Sequence, residues 1–233
     1  MTSSRPSRSR HGMARGASVV LAGVLCVLPW GVSPAQAQGT TIDPASRNYD
    51  CWLRWADDLQ DPAMQTQDPM CWQAVQDDPL AVQRWDEVYR DDTVTPADGE
   101  ICSAGRTAAG RYDSLDTPGP WHTTPVTDPG GSFSVNVHDM VRDGADLIWI
   151  WVTEQGFDPE TEPLTWDDLV LERTEGSFEP DWGDPSPEPH LPGGTYEVVV
   201  GAPGRTGHHV VVTQFKLTGS TRTHWLCSDV DFS

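Results

Sequence analysis

Regular alternation of apolar and polar positions begins only in the second half of the chain. Residues 132–139 place Phe133, Val135 and Val137 on alternate positions, and 145–152 is almost continuously apolar. Further strand-like runs at 195–201, 208–216 and 225–232 are separated by Pro-Gly-Gly, Pro-Gly-Arg and Thr-Gly-Ser stretches. Short strands with this punctuation predict an antiparallel β-sandwich. A short helix is predicted at 165–171, and 179–192, with five prolines, reads as an extended loop. Residues 38–102 are rich in Trp, Asp, Gln and Pro and lack alternation, which predicts an irregular lobe with short helices. The best helix signal there has Asp78 as N-cap and Pro79 in the first turn. Ala81, Trp85, Val88 and Tyr89 follow at helical spacing, a pattern that packs the aromatics inward.

The first 37 residues are of another kind. They carry Arg5, Arg8, Arg10 and Arg15 and no acid, then an apolar run over 17–32, then Ala35-Gln36-Ala37. This is the pattern of a secretory signal peptide. The apolar run is shorter than the roughly 20 residues that span a bilayer, and no later run is longer. The expectation is therefore a secreted, extracellular protein with a leader at 1–37, one domain at 38–233 beginning at Gln38, and no membrane partner. Removing 37 of 233 residues leaves 196, which suits one domain.

Charge and cysteines narrow the classes. Of 15 basic and 35 acidic residues the leader holds four and none, leaving 11 against 35, a net charge of −24. Such a surface disfavours nucleic acid and anionic membranes. Four cysteines remain after cleavage: Cys51, Cys71, Cys102 and Cys227. An even count in an oxidising compartment predicts two disulfides, with three pairings open. No CxxC spacing is present, which disfavours zinc.

Six stretches point to one family: Asp43-Pro-Ala-Ser-Arg-Asn-Tyr49, Asp68-Pro-Met-Cys-Trp72, Ile101-Cys-Ser-Ala-Gly105, Gln155-Gly-Phe-Asp-Pro159, Pro163-Leu-Thr-Trp166 and Leu226-Cys-Ser-Asp-Val230. In this combination and order, the chain from residue 38 resembles the bacterial lytic polysaccharide monooxygenases with the chitin-binding type-4 fold. The resemblance implies a mainly β fold, an immunoglobulin/fibronectin-III-like antiparallel sandwich with a large loop-helix lobe inserted after the first strand. It also implies the disulfides Cys51–Cys71 and Cys102–Cys227. Members of this family cut cellulose or chitin oxidatively at a copper ion held by the amine and side chain of a first-residue His and by a second His.

At those two brace positions this chain has Gln38 and Asp143. The neighbouring positions also differ: His224 stands at the axial aromatic, Arg222 at the polar Glu or Gln two residues earlier, and Val141 at the small Ala near the metal. The expectation is a monomer without the family's catalysis and with no cofactor, which binds an extracellular polysaccharide, cellulose or chitin, or a cell-surface component. Trp85, Tyr89, Arg222 and Trp225 are the candidate glycan contacts, and Gln83 stands where relatives are expected to carry an aromatic. The alternative is a copper-dependent monooxygenase with an altered ligand set. A weak metal site at Gln38, Asp143 and His224 is the candidate there, although cyclisation of an N-terminal Gln would block its amine. The other histidines, His122, His138, His208 and His209, read as ordinary hydrogen-bonded residues, with His208 and His209 on opposite faces of one strand.

Overall fold

The computed structural model describes residues 38–179, 184–185 and 191–233. The expected leader, and all but the ends of the proline-rich 179–192 stretch and the pair 184–185, lie outside them. Two antiparallel sheets form a sandwich. The smaller is built from β1 (Gly39–Asp43), β4 (Ser132–Asp139), β8 (Gly194–Gly201) and β7 (Asp184–Pro185), in that order. The larger runs β2 (Tyr89–Arg90), β10 (Thr223–Phe232), β9 (Gly207–Leu217), β5 (Ala145–Thr153), β6 (Leu169–Glu175), with β3 (Thr124–Val126) parallel to the far end of β10. Between β1 and β3 the chain makes the lobe, with helices α1 (Arg47–Trp55), α2 (Met64–Gln67), α3 (Pro69–Asp77) and α4 (Leu80–Gln83).

The unbroken apolar run of β5 follows from its place. Ile148, Ile150 and Val152 face the core between the sheets, whereas Trp151 packs on the lobe, so both faces are apolar. In β9, Val211 and Phe215 join the sandwich core and Val210 and Val212 the lobe core. β4 has solvent on its outer side and shows the alternation read from the sequence.

In the lobe, local chemistry sets the helix starts. Asp68 accepts a hydrogen bond from the Cys71 amide and Pro69 occupies the first turn, which together begin α3. The disulfide Cys51–Cys71 joins α1 to α3, and Cys102–Cys227 joins the lobe to β10, the pairing that the family resemblance implied.

Two predicted helices are shorter than expected. α4 begins after Pro79 as read, but it ends at Gln83, so Trp85, Val88 and Tyr89 share no helix face. The cause is tertiary: Tyr89 and Arg90 pair with His224 and Thr223 of β10, and the Asp86 carbonyl accepts the Gly39 amide at 3.3 Å. The helix predicted at 165–171 is a 3₁₀ turn over Trp166–Asp168, closed by the reciprocal Thr165 and Asp168 bonds. From Leu169 the chain pairs with β5 as β6.

The disulfides close loops of very different length, 20 and 125 residues of separation. In the chain-entropy account they contribute about 3 and about 5 kcal/mol. Paired Cys→Ser variants measured by urea unfolding should show the larger loss for Cys102 with Cys227. The reverse order would contradict this attribution.

Candidate functional site

β1, β4, β9 and β10 bring Gln38, the 140–144 loop and His224 to one end of the sandwich. The Gln38 carbonyl accepts the Met140 amide at 3.1 Å. Gly39 lies so close to Phe215 that a Cβ there would stand 2.8 Å from the ring and 2.9 Å from the His138 carbonyl, so the position takes only glycine.

Asp139, at the end of β4, holds the following loop from below. Its carboxylate accepts the Val141 amide and the Tyr196 hydroxyl, each at 3.0 Å, and burial raises its pKa. Gly193, at φ 104°, presses on the same turn, where a Cβ would lie 2.7 Å from the Met140 Cα. Arg142 takes a left-handed conformation at φ 56°, Asp143 is exposed, and the Gly144 carbonyl accepts the Thr218 amide at the end of β9. Val141 is also exposed.

His224 is enclosed completely. Its ring lies 5.5 Å from Tyr89, edge-on, and 5.6 Å from Phe215. Neither ring nitrogen makes a well-formed hydrogen bond with a side chain or backbone group. Burial first, then the Arg222 charge, push its pKa down to about 3, against a smaller opposing pull from the Val88 backbone. The imidazole is therefore neutral. Arg222 stacks on the outer side of Tyr89, with Cζ 4.3 Å from the ring centroid, and pairs with Asp91 at 3.3 Å.

Two of the four candidate glycan contacts are core residues. Trp85 is 7% exposed and packs with Tyr49 and Trp52 at 4.7 and 5.7 Å. Trp225 is 2% exposed, between Trp166 and Trp151 at 5.5 and 6.0 Å. Neither presents a ring to a sugar, because the lobe closes over both. Tyr89 and Arg222 stay half-buried at the rim, and Gln83 and Arg84, at the end of α4, are exposed.

The remaining histidines among the described residues are placed elsewhere or are tied. His208 Nε2 meets Asp229 at 2.7 Å, His209 Nδ1 meets the Thr153 hydroxyl at 2.9 Å on the other face, and His122 meets Asp50 at 3.2 Å. His138 is buried within β4. Among the described residues, no three His, Cys, Asp or Glu side chains gather as a metal-ligating group. Sequence reading missed the support of the 140–144 loop by Asp139, Tyr196 and Gly193, which come together only through the β4–β8 pairing.

Comparisons with known proteins agree on one group. The family model described as lytic polysaccharide mono-oxygenase, cellulose-degrading, matches residues 39–230. A chitin-binding protein, CbpD, of Pseudomonas aeruginosa is 26% identical over 214 residues, covering 85% of this chain and 48% of that protein. The chain thus spans about half the length of the curated relatives it matches. Among solved structures, a monooxygenase of this class from Kitasatospora papulosa is 45% identical with a TM-score of 0.76, covering 84% of this chain and 98% of that one. One from Micromonospora aurantiaca is 44% identical with a TM-score of 0.78, covering 84% and 100%.

The enclosed imidazole has a measurable consequence. Its folded pKa lies below its unfolded value, so the unfolded chain binds more protons between about pH 3 and 6.5. The stability it contributes is complete above about pH 6.5 and is lost as pH falls toward 3. Asp116, raised to about 6 by burial, contributes with the opposite sign, so the comparison is with a variant that keeps it. Between pH 7.5 and 5, urea unfolding should show the native protein losing about 2 kcal/mol more than His224→Phe. Equal losses would mean that His224 is not held neutral.

Proposed function

The chain belongs to the cellulose-degrading lytic polysaccharide mono-oxygenase family, and from that premise we propose that it is an exported, non-catalytic polysaccharide-binding member. In this reading the leader is removed and Gln38 becomes the first residue of a single extracellular domain at 38–233, which works as a monomer. No helix among the described residues is long and apolar enough to cross a membrane.

The observation that carries the reading is the chemistry of the donors at the end of the sandwich. The family's copper is held by two imidazoles and an amine. The corresponding positions here are Gln38 and the exposed carboxylate of Asp143, and the one imidazole beside them, His224, is sealed between two aromatic rings. Amide and carboxylate oxygens are hard donors that suit Cu(I) poorly. These residues do not fit the brace, and no oxidative step is assigned to them.

Binding does not need the metal. The rim offers Tyr89 stacked under Arg222, Asp91, and the exposed Gln83 and Arg84, a shallow polar face with one aromatic. Sugars meet such a face through hydroxyl hydrogen bonds and the apolar side of a ring. The relatives' names, chitin-binding and cellulose-degrading, support a β-linked glycan as partner.

Sedimentation with insoluble chitin and microcrystalline cellulose tests both halves of the proposal. Retention is expected on at least one polymer, weakened about fivefold by Arg222→Ala, which removes a guanidinium that donates to sugar hydroxyls, a loss of roughly 1 kcal/mol. With copper, a reductant and peroxide supplied, no oxidised oligosaccharides should form. Protein that stays wholly in the supernatant would refute binding, and C1- or C4-oxidised products would refute the loss of catalysis.

A further inference from the structure

A second candidate site lies in the lobe, built from residues that play no part in the face just described. A cavity of about 280 Å³ is lined by Asp77, Asp78, Arg111, Asp113 and Ser114, together with Ala109 and Gly110. Three of its side chains carry buried polar atoms without a hydrogen-bond partner: Arg111 Nε, Asp113 Oδ1 and Ser114 Oγ. Ser114 is 6% exposed and lines the cavity from the buried side. The ion pairs of Arg111 are loose as well, 3.7 Å to Asp78 and 3.7 Å to Glu87, beyond hydrogen-bonding distance. Buried polar atoms in a native protein are as a rule satisfied, so this set calls for a partner.

The unsatisfied atoms define its chemistry. Arg111 Nε donates only, the Asp113 carboxylate accepts only, and the Ser114 hydroxyl does either. A bare ammonium could serve Asp113 but would oppose Arg111 and leave its donor unmet. A hydroxyl group serves both, because it accepts from the guanidinium while donating to the carboxylate. The charge balance then adds a second requirement. Three carboxylates line the cavity against Arg111, which also faces Glu87, and against Arg106, which stands 3.9 Å from Asp113 but is held by Glu100 at 2.9 Å, so the balance stays negative and a positive group on the ligand is favoured. A bare divalent ion would fill little of the volume, and these carboxylates do not gather as a ligating cluster. We propose that this cavity takes one unit of an amino sugar, its hydroxyls shared between Arg111, Asp113 and Ser114 and its protonated amine among the aspartates.

Calorimetric titration of the protein with the glucosamine hexasaccharide and with its fully N-acetylated counterpart, at pH 6 and low salt, tests this. The cationic hexamer should bind about tenfold more tightly than the neutral one, the difference shrinking as salt is added. Asp113→Asn should weaken it about tenfold and Ser114→Ala about threefold, as expected for a charged and a neutral hydrogen bond. Glu197→Gln, which alters an exposed carboxylate on β8 that belongs to neither site, should leave it unchanged, which separates the cavity from a general attraction to the acidic surface. Should Asp113→Asn fail to fold, Ser114→Ala alone decides. Equal affinity for the two hexamers, absence of binding, or full affinity in the cavity variants would overturn the proposal.

Discussion

A buried ion pair fixes how the lobe sits on the sandwich, beside the apolar contacts and the disulfide that also join them. Arg47, at the start of α1, meets Asp229 of β10 through two hydrogen bonds of 2.7 and 3.0 Å, with side-chain exposures of 5% and 1%. A third nitrogen of the guanidinium donates to the Leu115 carbonyl at 2.7 Å, and Trp121 covers its face at 4.8 Å. Burial pushes the Asp229 carboxyl up, but Arg47 and His208 outweigh it and hold the group below its usual range. Breaking such a pair on one side leaves a buried charge alone, at about 3–5 kcal/mol. Two residues away on β10, Cys227 makes the covalent link to Cys102 of the lobe.

This attachment decides the geometry of the candidate face. Tyr89 reaches His224 only because the lobe is seated on β10, so the hairpin beyond α4 can pair as β2 with Thr223 and His224. The Ser46 hydroxyl bonds to Thr40, and Ser228 bonds to Thr41 and the Pro44 carbonyl, which fixes the exit of the lobe from β1. With β1 set, Gln38 and Gly39 are set too. The rim residues therefore depend on contacts well removed from them, and a change at Arg47 would alter the face without touching it.

What the sequence disclosed follows from the range of the interactions involved. The strands β4, β5, β8, β9 and β10 were legible because turn residues and apolar alternation are local. The proposed placing of Gln38 and Asp143 at the brace positions rests on residue identity beside a motif, which needs no coordinates. The ends of α4 and the strand β6 were not, since each depends on pairing with a partner distant in sequence. Trp85 and Trp225 could not be told from exposed sugar-stacking residues, because a tryptophan under a lobe and one on a surface have the same local pattern. The acidic cavity draws on 77–78 and 109–114, two segments that no spacing rule connects.

In the proposed reading, where Gln38 and Asp143 stand at the family's metal positions, the scaffold explains how the fold keeps its shape without the brace. The groups that support the end of the sandwich, Asp139, Tyr196, Gly39 and Gly193, bond or pack against backbone and make no use of the side chains at 38 and 143. Asp143 is exposed and Gln38 is engaged through its carbonyl, so neither side chain belongs to a core. Surface exchanges of this kind commonly move stability by no more than about 0.5 kcal/mol. Position 224 is different, since its side chain is fully enclosed and must fit between Tyr89 and Phe215. A neutral imidazole fills that slot as a flat ring, which lets an axial aromatic position be occupied by histidine without opening the core. Folding thus constrains position 224 and makes no demand on the side chains at 38 and 143, so in the proposed reading only a requirement for copper chemistry would hold histidine at those two positions.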